Sequence, residues 1–242
     1  MSTLRSSRVL RGAVALTALL YGGDVAAQES ARVLTGRASV GVYGQGSDPR
    51  GDFGKNTGTG WGAGGTAVLR LDPASIINLR ADLSFLTYGN SRRRIPLAGT
   101  GGLVKLDLNT SNNIGSFVVG PQLLGPTGAV MPYIAALGGF SVFWTESSVE
   151  GTNNDNQPFA SSTNSSDAVL AYGGVAGLNI RVANGTRPVR IELGARVLRH
   201  DNVSYLNDER VKDAFENNRD PIPVRGRADF VTYFAGVNFV VW

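Results

Sequence analysis

The chain has 242 residues, 42% of them hydrophobic and 17% charged, with 32 glycines, one histidine and no cysteine. That apolar content excludes a disordered chain, and the missing cysteine excludes a disulfide or thiolate–metal scaffold. A formal net charge of +4 gives little support to a nucleic-acid binder, and no uncharged run reaches the about 18 apolar residues of a membrane-spanning helix.

The first element is an address. Arg5, Arg8 and Arg11 form a basic start, residues 13–20 a short apolar core, and Val25-Ala26-Ala27 supplies small residues for cleavage. This order predicts a Sec signal peptide over 1–27 and a mature domain over 28–242. With no cysteine to lipidate, a lipoprotein is excluded. Cleavage after Ala27 leaves 215 residues with 20 Lys/Arg and 18 Asp/Glu, a net charge of +2.

The rest alternates with a period of two, the strand signature. Residues 33–44 set Leu34, Ala38, Val40 and Val42 against Arg37, Ser39 and Tyr43. Residues 61–71 follow the same rule, with Arg70 on the polar side. Residues 76–88 oppose Ile77, Leu79, Leu83 and Phe85 to Asn78, Arg80, Asp82 and Ser84. Segments 114–124 and 130–145 are extended and β-rich with a vaguer pattern, and 168–182 places Arg181 on its polar side. Residues 189–200 oppose Ile191, Leu193 and Val197 to Arg190, Glu192, Arg196 and His200. The last segment opposes Val231, Tyr233, Val237 and Phe239 to Thr232, Gly236 and Asn238. Eight strands are predicted. Residues 103–109 also alternate and are expected to form a β-extension of the second loop, with ten strands as the fallback.

The expected connections run 45–60, 72–75, 89–113, 125–129, 146–167, 183–188 and 201–228, alternately long and short. Asp72-Pro73, Gly125-Pro126-Thr127-Gly128 and Asn184-Gly185 carry turn chemistry at the short ones. Long loops at one end and tight turns at the other mark a transmembrane barrel with both termini periplasmic. In the clearly phased strands up to residue 198, one face carries no Asp, Glu, Lys or Arg. A lipid surround enforces that segregation, because Arg or Lys facing the bilayer midplane costs about 2–4 kcal/mol. A secreted lipocalin-like barrel has the same pattern with its faces reversed. The leader, the loop rule and the last strand favour the membrane barrel. The predicted fold is therefore all-β, an eight-stranded antiparallel up-and-down transmembrane β-barrel.

In strand number, loop rule and an aromatic-ended last strand (residues 231–242), the mature chain resembles the outer membrane protein beta-barrel domain family. These are the small eight-stranded barrels of the outer membrane protein A and W kind. The resemblance implies residence in the outer membrane of a Gram-negative-type bacterium, among outer-membrane lipid and lipopolysaccharide. It also implies handling by periplasmic chaperones and the barrel-assembly machinery, for which Tyr233, Phe239 and Trp242 are the candidate signal. Trp242 departs from the pattern, falling in the phase of Asn238 rather than the lipid-facing phase. Either a bulge shifts the register near the end or the signal is read from Phe239.

Eight strands enclose a lumen that side chains just fill. Its candidate polar network is Arg37, Arg70, Arg80, Asp82, Arg181, Arg190, Glu192, Arg196 and His200, with Arg80 or Arg196 paired to Asp82 and Glu192. The expectation is a closed or narrow barrel with a structural or surface role, monomeric, with no cofactor, metal or nucleic acid. A small channel for small or apolar solutes is the alternative. Arg92-Arg93-Arg94 is expected at the tip of the second loop, either simply solvated or contacting lipopolysaccharide phosphates, which guanidinium forks suit. Residues 207–217 could form a short helix in the fourth loop. Gly60-Trp61-Gly62-Ala63-Gly64-Gly65 fits G-x-G-x-x-G, but no helix pattern follows, so the glycines are expected to serve strand packing.

A lipid A-modifying enzyme is the second alternative. His200, with Asp201 and Ser204 nearby, could act on a nucleophile, but the His-x-Ser-Asn run of barrel deacylases is replaced here by His200-Asp201-Asn202-Val203. The expected role of His200 is a lumen-rim histidine paired with a carboxylate, and no enzyme is expected.

Overall fold

The computed structural model describes residues 37–74, 76–96, 105–126, 128–151, 160–183, 188–205 and 224–241. The expected leader, the helix expected at 207–217, and Trp242 lie outside them. The strands are β1 (Ala38–Arg50), β2 (Gly60–Arg70), β3 (Ile77–Pro96), β4 (Lys105–Leu124), β5 (Val130–Gly151), β6 (Ala160–Ala183), β7 (Val189–Tyr205) and β8 (Val224–Val240). Each pairs antiparallel with its sequence neighbour, and β1 also pairs with β8, closing the barrel. Closure leaves no free edge around the wall. No helix among the described residues is long and apolar enough to cross a membrane.

The period-two pattern sets the orientation of the wall. Val42, Leu83, Ile134, Leu170 and Tyr233 point outward and are exposed, while Tyr43, Asp82, Tyr133, Arg196 and Thr232 are buried in the lumen. Every strand has a stretch of nine residues whose outward positions are uncharged, such as 77–85 in β3, 189–197 in β7 and 231–239 in β8. In β8 the alternation runs unbroken, with Phe239 outward and Val240 buried. The β1–β8 ladder has no irregularity there, so among the described residues no bulge interrupts this end, and Phe239 is their last outward aromatic.

The long connections differ from expectation. Most of residues 89–113 and 146–167 continue as strand, carrying β3 to Pro96, β5 to Gly151 and β4 back to Lys105, while 45–60 is strand only up to Arg50 and at Gly60. A ladder wetted on both faces needs no hydrophobic alternation, so the sequence pattern fades where the backbone pairing does not. Residues 105–109 are accordingly the outer part of β4, hydrogen-bonded opposite 92–96 of β3. The strand count is eight. The inward phase slips within β4, where Asn112, Asn113 and Ile114 are buried in succession. The paired strand β3 carries an irregularity between Tyr88 and Asn90 at the same height.

The stretch after β1 holds a short helix, α1 (Gly51–Asn56). Gly51 enters it at φ 61°, a left-handed conformation that glycine adopts without a Cβ penalty. This turn puts Phe53 over the mouth of the lumen, its ring 5.3 Å from that of Tyr88 and 6.3 Å from that of Phe143. At the opposite end, Asp72 ties its turn by accepting the Ile77 and Ile76 backbone N–H groups at 2.6 and 3.2 Å.

Inward-facing glycines make room for lumen aromatics. Tyr43 lies directly opposite Gly64 on β2 and Gly236 on β8, Tyr133 opposite Gly177, and Phe234 opposite Gly194. A Cβ on Gly194 would sit 2.5 Å from the Phe234 ring, and one on Gly64 would sit 2.5 Å from the Tyr43 ring. Gly64 belongs to the G-x-G-x-x-G run, which forms antiparallel strand. Phe234 is buried and its ring centroid is 5.1 Å from that of Tyr43, so it has little freedom to retreat. Gly194→Val is therefore expected to destabilise the barrel by about 1–3 kcal/mol through overpacking. A urea midpoint unchanged from wild type would show that the rings can move aside.

Candidate functional site: the lumen network

Arg80 on β3 is the centre of the lumen. It is 1% exposed, and its guanidinium grips Asp82 through two parallel bonds, Nε to Oδ2 at 2.7 Å and Nη2 to Oδ1 at 2.9 Å. Nη1 donates to Glu192 Oε1 at 2.7 Å and to Gln122 Oε1 at 3.3 Å. Glu192 stands on β7, four strands from β3 in a ring of eight, so this ion pair ties opposite walls together. The Tyr133 hydroxyl donates to the same Glu192 oxygen. The other carboxylate oxygen accepts Asn238 Nδ2 at 2.8 Å, which also reaches Asn179 Oδ1 at 3.1 Å. The Arg80 guanidinium lies 5.0 Å from the Tyr133 ring centroid. Buried charge is tolerated when paired and hydrogen-bonded, and these groups meet that condition.

Arg196 forms the next layer toward the Phe53 end. It donates from Nη1 to the Tyr43 hydroxyl at 3.1 Å, and from Nη2 to Gln45 Oε1 at 2.7 Å and Ser84 Oγ at 3.3 Å. Asp82 is 4.0 Å away, so Arg196 rests chiefly on neutral acceptors. The two arginines and two acids balance in charge.

His200 tops the stack. Its Nδ1 is 2.9 Å from the Ala228 carbonyl, which can only accept, so Nδ1 carries the proton. Nε2 then accepts from Ser141 Oγ at 2.8 Å, and Ser116 Oγ sits 2.7 Å from Ser141 Oγ. The imidazole stacks on Phe230 at 5.2 Å and meets Phe143 edge-on at 5.2 Å. The expected carboxylate partner is absent among these contacts. Asp201 instead points outward, accepting from Tyr172 Oη at 3.0 Å and lying 3.4 Å from Arg227 Nε. The Ser204 backbone N–H goes to Asp167 at 2.7 Å. Strand alternation alone sends Asp201 to the face opposite His200, and the bulge that follows, where Asn202 takes φ 58°, brings Val203 to a buried position.

The remaining expected lumen residues lie apart, at the short-connection end. Arg37 precedes β1 and is exposed, and its carbonyl accepts the Arg70 N–H at 2.8 Å. Arg181 and Arg190 are half-buried and directly opposite each other on β6 and β7. Arg92, Arg93 and Arg94 are not a loop tip but part of the β3 extension, opposite Asn109, Leu108 and Asp107, with Arg94 exposed. Tyr233 and Phe239 face outward. Sequence reading did not single out Tyr43, Gln45, Gln122, Tyr133, Ser141 or Phe53. Tyr43 shares the phase of Ser39 and was legible as inward; Gln45 fell in the connection expected over 45–60, and Ser141 and Tyr133 sit where glycine and proline dilute the alternation.

No family model matches the chain, and no curated protein matches it. Among solved structures, the crystal structure of Neisserial surface protein A is similar, with 13% sequence identity and a TM-score of 0.43, covering 84% of this chain and 97% of that chain.

Proposed function

We propose that the chain is an integral outer-membrane barrel with a closed lumen and a structural or surface role. The observation that carries this reading is the inverted polarity of the wall. Leu170 is 78% exposed, Trp61 75% and Val42 65%, while Arg80, Asp82, Glu192 and Arg196 are at most 2% exposed. A water-soluble barrel shows the reverse, and a continuous apolar belt of this size would aggregate in water. A nine-residue stretch per strand with no charge on its outward side matches the 9–11 residues a tilted strand needs to cross hydrocarbon. Charge returns just beyond the belt, at Arg199 on β7 and at Asp229 and Arg227 on β8.

With the leader read as a Sec signal, the short turns and both chain ends of the barrel face the periplasm, and the long β3–β6 extension faces outward, where Arg94 can meet lipopolysaccharide phosphates. Periplasmic chaperones and the barrel-assembly machinery are the partners this route requires, with Tyr233 and Phe239 as the described part of the assembly signal, and the monomer is the working unit. Arg80 bridging β3 to β7 and Phe53 across the mouth both oppose conduction. Ser141 and His200 pair as a nucleophile and base would, but both are 0% exposed, so they serve as a core hydrogen bond and no reaction is assigned to them.

The test is a gel of the outer-membrane fraction, boiled and unboiled, followed by planar-bilayer recording. A heat-dependent mobility shift with no resolved conductance steps is the expected result. Large cation-selective steps would replace the closed barrel by a channel. Protein in the soluble periplasm would overturn the membrane reading, and release of lipid A acyl chains that is lost in His200→Ala would make it an enzyme.

A further inference from the structure

We infer that Arg70, Arg181 and Arg190 form a phosphate-binding site in the short-connection end of the lumen. The three side chains come from β2, β6 and β7 and belong to the inward phase of their strands. Arg181 and Arg190 are directly opposed in the β6–β7 ladder, and like charges in that position repel. The charged groups that act on Arg190 are Arg181 and Arg70, both cations. Nε of Arg181 and Nε of Arg190 are buried with no hydrogen-bond partner.

The contrast with Arg80 sharpens the point. The same lumen supplies Arg80 with two carboxylates, and both are consumed there. Glu192 is two residues from Arg190, but its oxygens are held by Arg80, Tyr133 and Asn238. Asp72 supplies a negative charge that acts on Arg70, so the pair left without one is Arg181 and Arg190. Asn238, opposite Arg190 on β8, spends its amide on Asn179 and Glu192. What Arg181 and Arg190 lack is an anion with several acceptor oxygens. A tetrahedral phosphate fits, because guanidinium forks bind such oxygens in pairs, and two partly buried donors regain partners when it arrives. The phosphate could be free in the periplasm or belong to a phospholipid headgroup at the inner leaflet.

The site does not depend on what surrounds the barrel, so it is tested separately from the membrane reading. The full-length protein is purified in a maltoside detergent, which carries no phosphate. Its urea midpoint is then followed against sodium phosphate, with sodium chloride at equal ionic strength as the control, and 31P line broadening reports contact directly. A second arm adds phosphatidylglycerol in place of inorganic phosphate. A rise in midpoint with broadening in either arm, and not with chloride, is expected and identifies the source. Arg190→Gln should need at least tenfold more ligand for the same rise. Because it relieves repulsion, its midpoint without ligand should equal or exceed that of wild type. Arg199→Gln, an exposed cation at the opposite end of β7, should leave the response unchanged. No response in either arm, an equal response to chloride, or an undiminished response in Arg190→Gln would overturn the site.

Discussion

Arg80→Met is expected to cost about 3–5 kcal/mol of folding stability, the range for removing one partner of a buried ion pair. The loss would come less from the missing attraction than from what remains. Asp82 and Glu192 would stay buried with their charges facing each other across the lumen, and Arg196, 4.0 Å from Asp82, is already committed to Tyr43, Gln45 and Ser84. The companion variant Arg80→Met/Asp82→Asn/Glu192→Gln should recover much of the loss, since neutral amides need no counter-charge. A double-mutant cycle on Arg80 and Glu192 isolates the bond that joins β3 to β7. The measurement is urea unfolding in lipid vesicles, read by tryptophan fluorescence. An Arg80→Met barrel within about 0.5 kcal/mol of wild type, the usual range for an inconsequential surface change, would mean that the network does not hold the walls together.

Leu193→Arg should be destabilising by about 2–4 kcal/mol in vesicles, the cost of a cation facing lipid near the midplane. Leu193 sits in the middle of the outward run 189–197, opposite Leu178 on β6 and Ala235 on β8. Ala168→Arg on β6, outward but above the belt, should cost about 0–1 kcal/mol, as near the interface. The pair of variants reads the depth profile of the surrounding medium. If the outer wall met water, both would be ordinary surface changes of similar small effect, and equal costs would refute the lipid-facing belt.

Both expectations rest on features of unequal visibility in the sequence. The inward placement of Arg80 and Asp82 was legible from the strict alternation over 76–88, and that of Glu192 and Arg196 from 189–200. Their pairing was legible only as a set of possibilities. Whether Arg80 reaches Glu192 depends on β3 and β7 facing each other, which follows from closure into a ring of eight. Tyr133 and Gln122 complete the network from segments whose pattern is diluted by Pro121, Pro132, Gly138 and Gly139. The residues around His200 read less well. The carboxylate expected as its partner is replaced by the Ser141 hydroxyl from another strand, and the left-handed Asn202 that follows leaves no trace in hydrophobic periodicity.

By itself, the sequence determined the number of strands, their order and which face of each is apolar, because a period of two is a local property that each strand carries independently. It also placed the tight turns at one end, through proline, glycine and asparagine. The tertiary structure decided everything that depends on two strands meeting. It set the salt bridge across the lumen, the Ser141 partner of His200, the aromatic rings over cross-strand glycines and the Phe53 lid. It also set the length of the strands beyond the belt, where pairing continues through backbone hydrogen bonds that have no side-chain signature. The charge balance at the centre and its failure at the Arg181–Arg190 end have the same origin. Composition counts charges, but only register and closure bring particular ones within reach.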